Sequence, residues 1–187
     1  MDILAQGSKT VDTIARETDM SVANTSQHLQ ILLEARLVEY QKQGLYSNYK
    51  IADKTVVNFI LSLQILAEKR IAEITRLREE IYTNKDNMEQ IRINELLEKM
   101  KKGNVTLIDV RPKDEYEIMH IPGANSIPIE ELEKHLDDLP LEQEIVAYCR
   151  GRYCLLSVEA VELLRSYGYK AVRLEESVQE WYSYNTD

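Results

Sequence analysis

From residue 90 to residue 184 short apolar runs alternate with helical stretches, and this alternation restricts the second half of the chain to a parallel α/β sheet. The strand candidates are residues 90–92, 105–110, 125–129, 144–148 and 171–174. The helix candidates are 94–102, 112–119, 129–138, 155–167 and 178–184. A parallel sheet is covered by helices on both faces, so its inner strands read as continuous apolar runs such as Ile145-Val146-Ala147-Tyr148. Ligands of such sheets bind at the carboxyl ends of the strands.

Both cysteines of the chain fall at one such end, in Cys149-Arg150-Gly151-Arg152-Tyr153-Cys154. An apolar strand precedes the segment and a helical pattern follows it. The loop therefore opens onto a helix N-terminus, whose amides and dipole stabilise an anion. A cysteine there is expected to have a lowered pKa and to be largely thiolate. Gly151 lets the loop turn back, and Arg150 and Arg152 add positive charge that a sulfur anion, sulfite or thiosulfate could use. Two readings stand for Cys154: a resolving thiol that attacks a persulfide on Cys149, or a small buried residue at a helix start. Two thiols are too few for a zinc site, which needs four ligands. A cysteine phosphatase would need arginine where this chain has Leu155.

The length of 187 residues fits one large domain or two small ones. No run of about 18 apolar residues exists, and Met1-Asp2-Ile3-Leu4 does not look like a signal peptide. Reactive cysteines among basic residues fit a reducing cytosol, so a cytoplasmic protein is expected, with no membrane partner, no metal and no cofactor. Residues 1–88 carry 11 Lys and Arg against 12 Asp and Glu, while residues 89–187 carry 12 against 20. Only the first half is compatible with binding nucleic acid.

In that first half, residues 10–17 read as a short helix and Asp19-Met20-Ser21 as a turn with Ser21 as cap. A second helix follows over 22–35, with Val22, Leu29, Leu32 and Leu33 as its apolar side. Asn24, Thr25, Ser26, Gln27 and His28 form its polar side. Residues 37–40 and 46–51 then form a β-hairpin around a polar turn. Two helices, a tight turn and a wing describe a winged helix-turn-helix. Residues 53–82 read as one helix about 45 Å long, with Val56, Ile60, Leu63, Ala67, Ile71, Ile74, Leu77 and Ile81 at three- and four-residue steps. Such a stripe packs either on its own domain or on the same helix of a second chain. Residues 83–87 mark the domain boundary.

The first half resembles the ArsR-type winged-helix repressors. The likeness rests on Thr13-Ile14-Ala15, Met20-Ser21, Thr25-Ser26-Gln27-His28-Leu29, Leu32 to Val38, and the Gly44-Leu45-Tyr46 wing. It implies a homodimer with one recognition helix per half-site of a double-stranded operator. Ser21, Asn24, Thr25, Ser26, Gln27 and His28 would face the DNA, and Lys42 and Tyr46 would lie along its backbone. The chain begins inside what is usually the family's second helix; residues 10–18 hold no cysteine and the last helix no histidine, so metal sensing at those places is not expected. The second half resembles rhodanese, the sulfurtransferase fold. The carrying residues are Leu107 to Arg111, Glu115-Tyr116, His120-Ile121-Pro122-Gly123-Ala124, Tyr148 to Gly151, Gly168-Tyr169, Ala171-Val172, Leu174 and Trp181. The resemblance makes Cys149 the nucleophile that takes sulfane sulfur as a persulfide, cradled by the amides of residues 150–154. Met119 and Glu176-Ser177 depart from the family pattern, and Asp109, Arg111, Glu115 and His120 read as structural.

The expected architecture is thus two domains. Residues 1–84 form a mostly α winged helix-turn-helix with a long dimerisation helix, and residues 85–187 an α/β rhodanese-like parallel sheet. The expected function is a DNA-binding transcriptional regulator, a repressor, that responds to reactive sulfur through Cys149. The alternative is a thiosulfate-type sulfurtransferase with an accessory DNA-binding or dimerisation domain. Arsenate handling by the same loop rests on the family name alone.

Overall fold

The computed structural model describes residues 1–43, 46–71, 73, 74, 76 and 89–184. It divides into two compact units, Met1–Arg70 and Ile71–Asp187. The boundary expected from the sequence, at residues 84 and 85, lies outside the described residues. Among those residues, no helix is long and apolar enough to cross a membrane.

In the first unit, α1 (Asp2–Ala5) leads to β1 (Lys9–Thr10), followed by α2 (Val11–Glu17) and α3 (Val22–Glu34). The α2 helix starts because Thr10 Oγ1 accepts from the Thr13 N–H. It ends where Asp19 takes a left-handed φ of 53° and Met20 N–H returns to the Ala15 carbonyl. Ser21 then caps α3, its hydroxyl accepting from Asn24 N–H at 3.2 Å. The wing is β2 (Val38–Gln43) and β3 (Tyr46–Ile51), antiparallel, with β1 added on the far side of β3. The core here is thin: Leu4, Ile14, Leu29, Val38 and Tyr49. Val22, expected inside, is 49% exposed, because the first turn of α3 projects beyond this small core.

The helix α4 (Lys54–Arg70) has no fully buried residue. Val56, Val57, Ile60 and Leu61 are half-buried, whereas Phe59, Leu63 and Leu66 are 59%, 51% and 51% exposed. These three are spaced i, i+4, i+7 and so share one face. The expected extension of this helix to residue 82 lies mostly outside the described residues.

The second unit is a five-stranded sheet in the order β4-β8-β7-β5-β6, with every pairing parallel. Its strands are β4 (Gln90–Ile91), β5 (Val105–Asp109), β6 (Asn125–Ser126), β7 (Glu144–Tyr148) and β8 (Ala171–Leu174). The helices are α5 (Ile93–Lys101), α6 (Lys113–Ile118), α7 (Ile129–Leu132) with a 3-10 turn Glu133–Asp138, α8 (Leu156–Ser166) and α9 (Val178–Tyr184). Ile145 to Tyr148 are all fully buried, as a central strand covered on both faces requires. The two-residue period of β7 sends Ile145, Ala147 and Cys149 toward Val158, Val161 and Leu164 of α8. It sends Val146 and Tyr148 toward Val172, Leu174 and Trp181. Cys149 is therefore the last inward residue on the α8 face.

Candidate functional site

The loop between β7 and α8 holds both cysteines. Cys149 is only 1% exposed and Cys154 is half-buried. The two are joined as a disulfide with Cα atoms 6.3 Å apart, within the reach such a bond needs. The turn between them depends on Gly151, whose φ is 114°. A Cβ at that position would also meet Ser177 Cβ at 3.1 Å, so the loop is pressed against the segment before α9. The Cys154 N–H donates to the Gly151 carbonyl at 3.0 Å. In this oxidised arrangement that amide is committed to closing the turn, so the cradle expected from residues 150–154 has one donor fewer.

The two loop arginines, expected to offer positive charge to a sulfur anion, are each paired with a carboxylate. Arg150 donates through Nε and Nη2 to both oxygens of Glu115, which is fully buried. Arg152 donates to Glu180 at 2.8 Å and lies 3.7 Å from Glu175. A fork-to-carboxylate pair of this kind fixes orientation as well as charge. Behind Glu115 lies Arg111, fully buried, bound to Asp109 through Nη2 at 2.6 Å and 4.0 Å from Glu115. Burial opposes the Arg111 charge, but the Asp109 hydrogen bond and charge outweigh it and raise its pKa. Tyr148 is stacked into the same network, with Arg111 5.8 Å from its ring centre. Its hydroxyl accepts from Ile121 N–H at 3.1 Å; burial and the Asp109 carboxylate push its pKa well above the ordinary value. Asp109, Arg111, Glu115 and Arg150 thus form a chain of charges from the sheet to the loop. His120 stacks on Tyr116 at 3.9 Å, and its carbonyl accepts from the Tyr182 hydroxyl at 3.0 Å. Tyr153 is exposed at the tip of the loop.

On α3, Asn24, Gln27 and His28 are exposed and Ser26 is half-exposed. Ser21 is exposed, though its hydroxyl already serves the cap. Thr25 is not on this face, contrary to the expectation from sequence. It is 3% exposed and lines an apolar cavity of about 380 Å³ with Leu4, Ile14, Met20 and Leu29. Its Oγ1 has no hydrogen-bond partner. On the wing, Lys42 is exposed and lines a polar depression with Ser8, Gln41 and Asn48. Tyr46 opens β3 opposite Gln43.

Comparison with known proteins follows the same division. Residues 1–40 match the family described as bacterial regulatory protein, arsR family, and residues 93–184 match the rhodanese-like domain. The chain is 38% identical over 181 residues to the HTH-type transcriptional regulator Rv0324 of Mycobacterium tuberculosis, an alignment spanning 97% of this chain and 79% of that protein. The chain belongs to the transcriptional regulators that join an ArsR-family helix-turn-helix to a rhodanese domain. Over 64 residues it is also 41% identical to the adenylyltransferase and sulfurtransferase uba4 of Ogataea parapolymorpha, covering 34% of this chain and 16% of that one. A rhodanese-like domain protein from Staphylococcus aureus matches in structure with a TM-score of 0.46 at 28% identity, over 50% of this chain and 91% of that one.

Several residues that shape the regulator's loop were not singled out from the sequence. Arg173, on β8, is fully buried and donates to the Gly151 carbonyl at 3.3 Å. Glu175 and Glu180 hold Arg152, and Glu180 also accepts from the Ser177 N–H at 2.8 Å. A charged residue within the apolar run Ala171-Val172-Arg173-Leu174 was the available signal for Arg173. No local pattern marks Glu180, which is 28 residues from its partner.

Proposed function

We propose that this regulator is a dimeric repressor whose operator affinity responds to sulfane sulfur taken up at Cys149 and resolved by Cys154. The observation that carries the reading is the pairing of the two sulfurs across Gly151. A transferase needs one thiol; a switch that records an encounter with sulfur uses a second thiol beside the first. In the first step the Cys149 thiolate attacks the outer sulfur of a hydropersulfide RSSH. A Cys149 persulfide forms and the thiolate RS⁻ leaves. In the second step the Cys154 thiolate attacks Cys149 Sγ, closing the disulfide and expelling HS⁻. The transferred sulfur is reduced to sulfide and the two thiols are oxidised, so electrons balance without another reactant.

The α3 face and Lys42 support operator binding, with base contacts from Gln27 and His28 and backbone contact from Lys42. Phe59, Leu63 and Leu66 supply an apolar face for a second copy, as a two-fold operator demands. Uptake of sulfur in one unit is expected to change operator affinity in the other by about 1–3 kcal/mol. The test is operator binding with and without a polysulfide donor, for wild type and Cys149→Ser. Loss of affinity only in wild type supports the reading. A Cys149→Ser protein that still acquires sulfur, or still responds, contradicts it.

A further inference from the structure

The positive charge expected at the mouth of the cysteine loop is fully offset. Arg150 is held by Glu115, and Arg152 by Glu175 and Glu180. Arg173 supplies a third cation, buried beneath Gly151. Glu176 supplies a fourth carboxylate, accepting from Ile93 N–H at 3.2 Å beside Glu175. Burial, then Glu175 and Glu180, push the Glu176 carboxyl above its ordinary value. Arg92 adds a fourth guanidinium, 3.3 Å from Glu175. The loop arginines are therefore each paired with a carboxylate, and the Asp109–Arg111 pair behind them adds no net charge. This half as a whole is acidic, with 12 Lys and Arg against 20 Asp and Glu over residues 89–187.

We infer that this site selects against dianionic sulfur donors such as thiosulfate and takes its sulfur from hydropersulfides of low charge, with Glu175 and Glu180 as the residues that set the preference. The inference rests on the function proposed above and names the donor class for it. A paired arginine presents little field to an approaching anion, and the acidic excess of this half repels a dianion more than a monoanion. Cys149 is 1% exposed in the disulfide form, and a donor reaching a sulfur at that depth must also shed water. That step costs a doubly charged group the most. Reaction with thiosulfate would form a Cys149 persulfide and release sulfite; reaction with RSSH forms the same persulfide and releases RS⁻. The two donors thus differ in charge and leaving group, with a common protein product.

The experiment treats the reduced full-length chain with thiosulfate, or with a hydropersulfide of an uncharged alkyl thiol, at several ionic strengths. Sulfur on Cys149 and closure of the disulfide are followed by intact mass. Thiosulfate should react at least about tenfold more slowly, and its rate should rise more steeply with salt than that of the hydropersulfide. Glu180→Gln should flatten that salt dependence and raise the thiosulfate-to-hydropersulfide rate ratio by about tenfold. Equal rates for the two donors in wild type, or a thiosulfate rate that falls with salt, overturn the inference while leaving sulfur uptake standing. So does an unchanged ratio in a folded Glu180→Gln protein. If neither donor places sulfur on Cys149, the proposed function falls and the donor preference with it.

Discussion

The two units spend their sequence in opposite ways. The rhodanese unit encloses two apolar clusters, one on each face of its sheet, and is tight enough to hold Asp109, Arg111, Glu115 and Arg173 out of water. Among the described residues, the helix-turn-helix unit has a core cluster of five buried side chains, and its longest described helix buries none of its side chains fully. Internal charge is tolerated only where partners are fixed, so the rhodanese unit can position its cysteine loop by itself. The exposed apolar stripe beside that thin core is where the proposed second copy would pack. One half holds its loop still, and the other leaves an apolar face exposed.

The contrast predicts its largest effect at Glu115. Replacing it with Ala leaves Arg111 and Arg150 without a shared carboxylate and should cost the rhodanese unit about 3–5 kcal/mol in denaturant unfolding. A loss below about 1 kcal/mol, the range of exposed ion pairs, would mean the charge chain is not a closed interior network. On the other unit, Leu63→Glu should leave helical content unchanged while abolishing the dimer in sedimentation. Operator affinity should then fall by at least about tenfold, because half-sites engaged separately lose their effective concentration. A wild-type chain that is monomeric at micromolar concentration would break the comparison at this point. Smaller effects are expected on α3. Gln27→Ala or His28→Ala should cost about 1–3 kcal/mol on a cognate site and little on random DNA. Thr25→Val should change neither, and should hold or raise stability by about 1 kcal/mol, because it removes a buried hydroxyl without a partner. The smallest effect concerns pH. Glu176 has a folded pKa raised above its unfolded one, so its contribution to stability falls as pH rises from the ordinary glutamate range through the raised value. Glu176→Gln should flatten that part of the stability profile.

How much the sequence disclosed depends on distance along the chain. The strand Glu144–Tyr148 and the cap at Ser21 were legible because a buried parallel strand and a helix start are written in a few consecutive residues. Cys149 and Gly151 were legible for the same reason. The pairing of Arg150 with Glu115 spans 35 residues and depends on which crossover brings α6 beside the loop, which no local pattern records. The arginines were consequently read as open charge. Thr25 was misplaced for a different reason: its polarity outweighed its position four residues before Leu29, on the buried side of the helix. Val22 erred in the opposite direction, because an apolar side chain at a helix start faces inward only if the core reaches that far.

The central claim is that chemistry at the cysteine loop is read out as DNA affinity. The most direct measurement is operator binding by the full-length chain before and after stoichiometric treatment with a hydropersulfide, with intact mass confirming the state of Cys149 and Cys154 in each sample. The prediction is that wild type with the Cys149–Cys154 disulfide binds its operator about tenfold or more weakly than the reduced protein. Cys154→Ser should gain sulfur at Cys149 yet keep most of its affinity. Equal affinity of reduced and fully modified wild type would contradict the claim and leave a sulfur-transferring unit joined to an independent DNA-binding one.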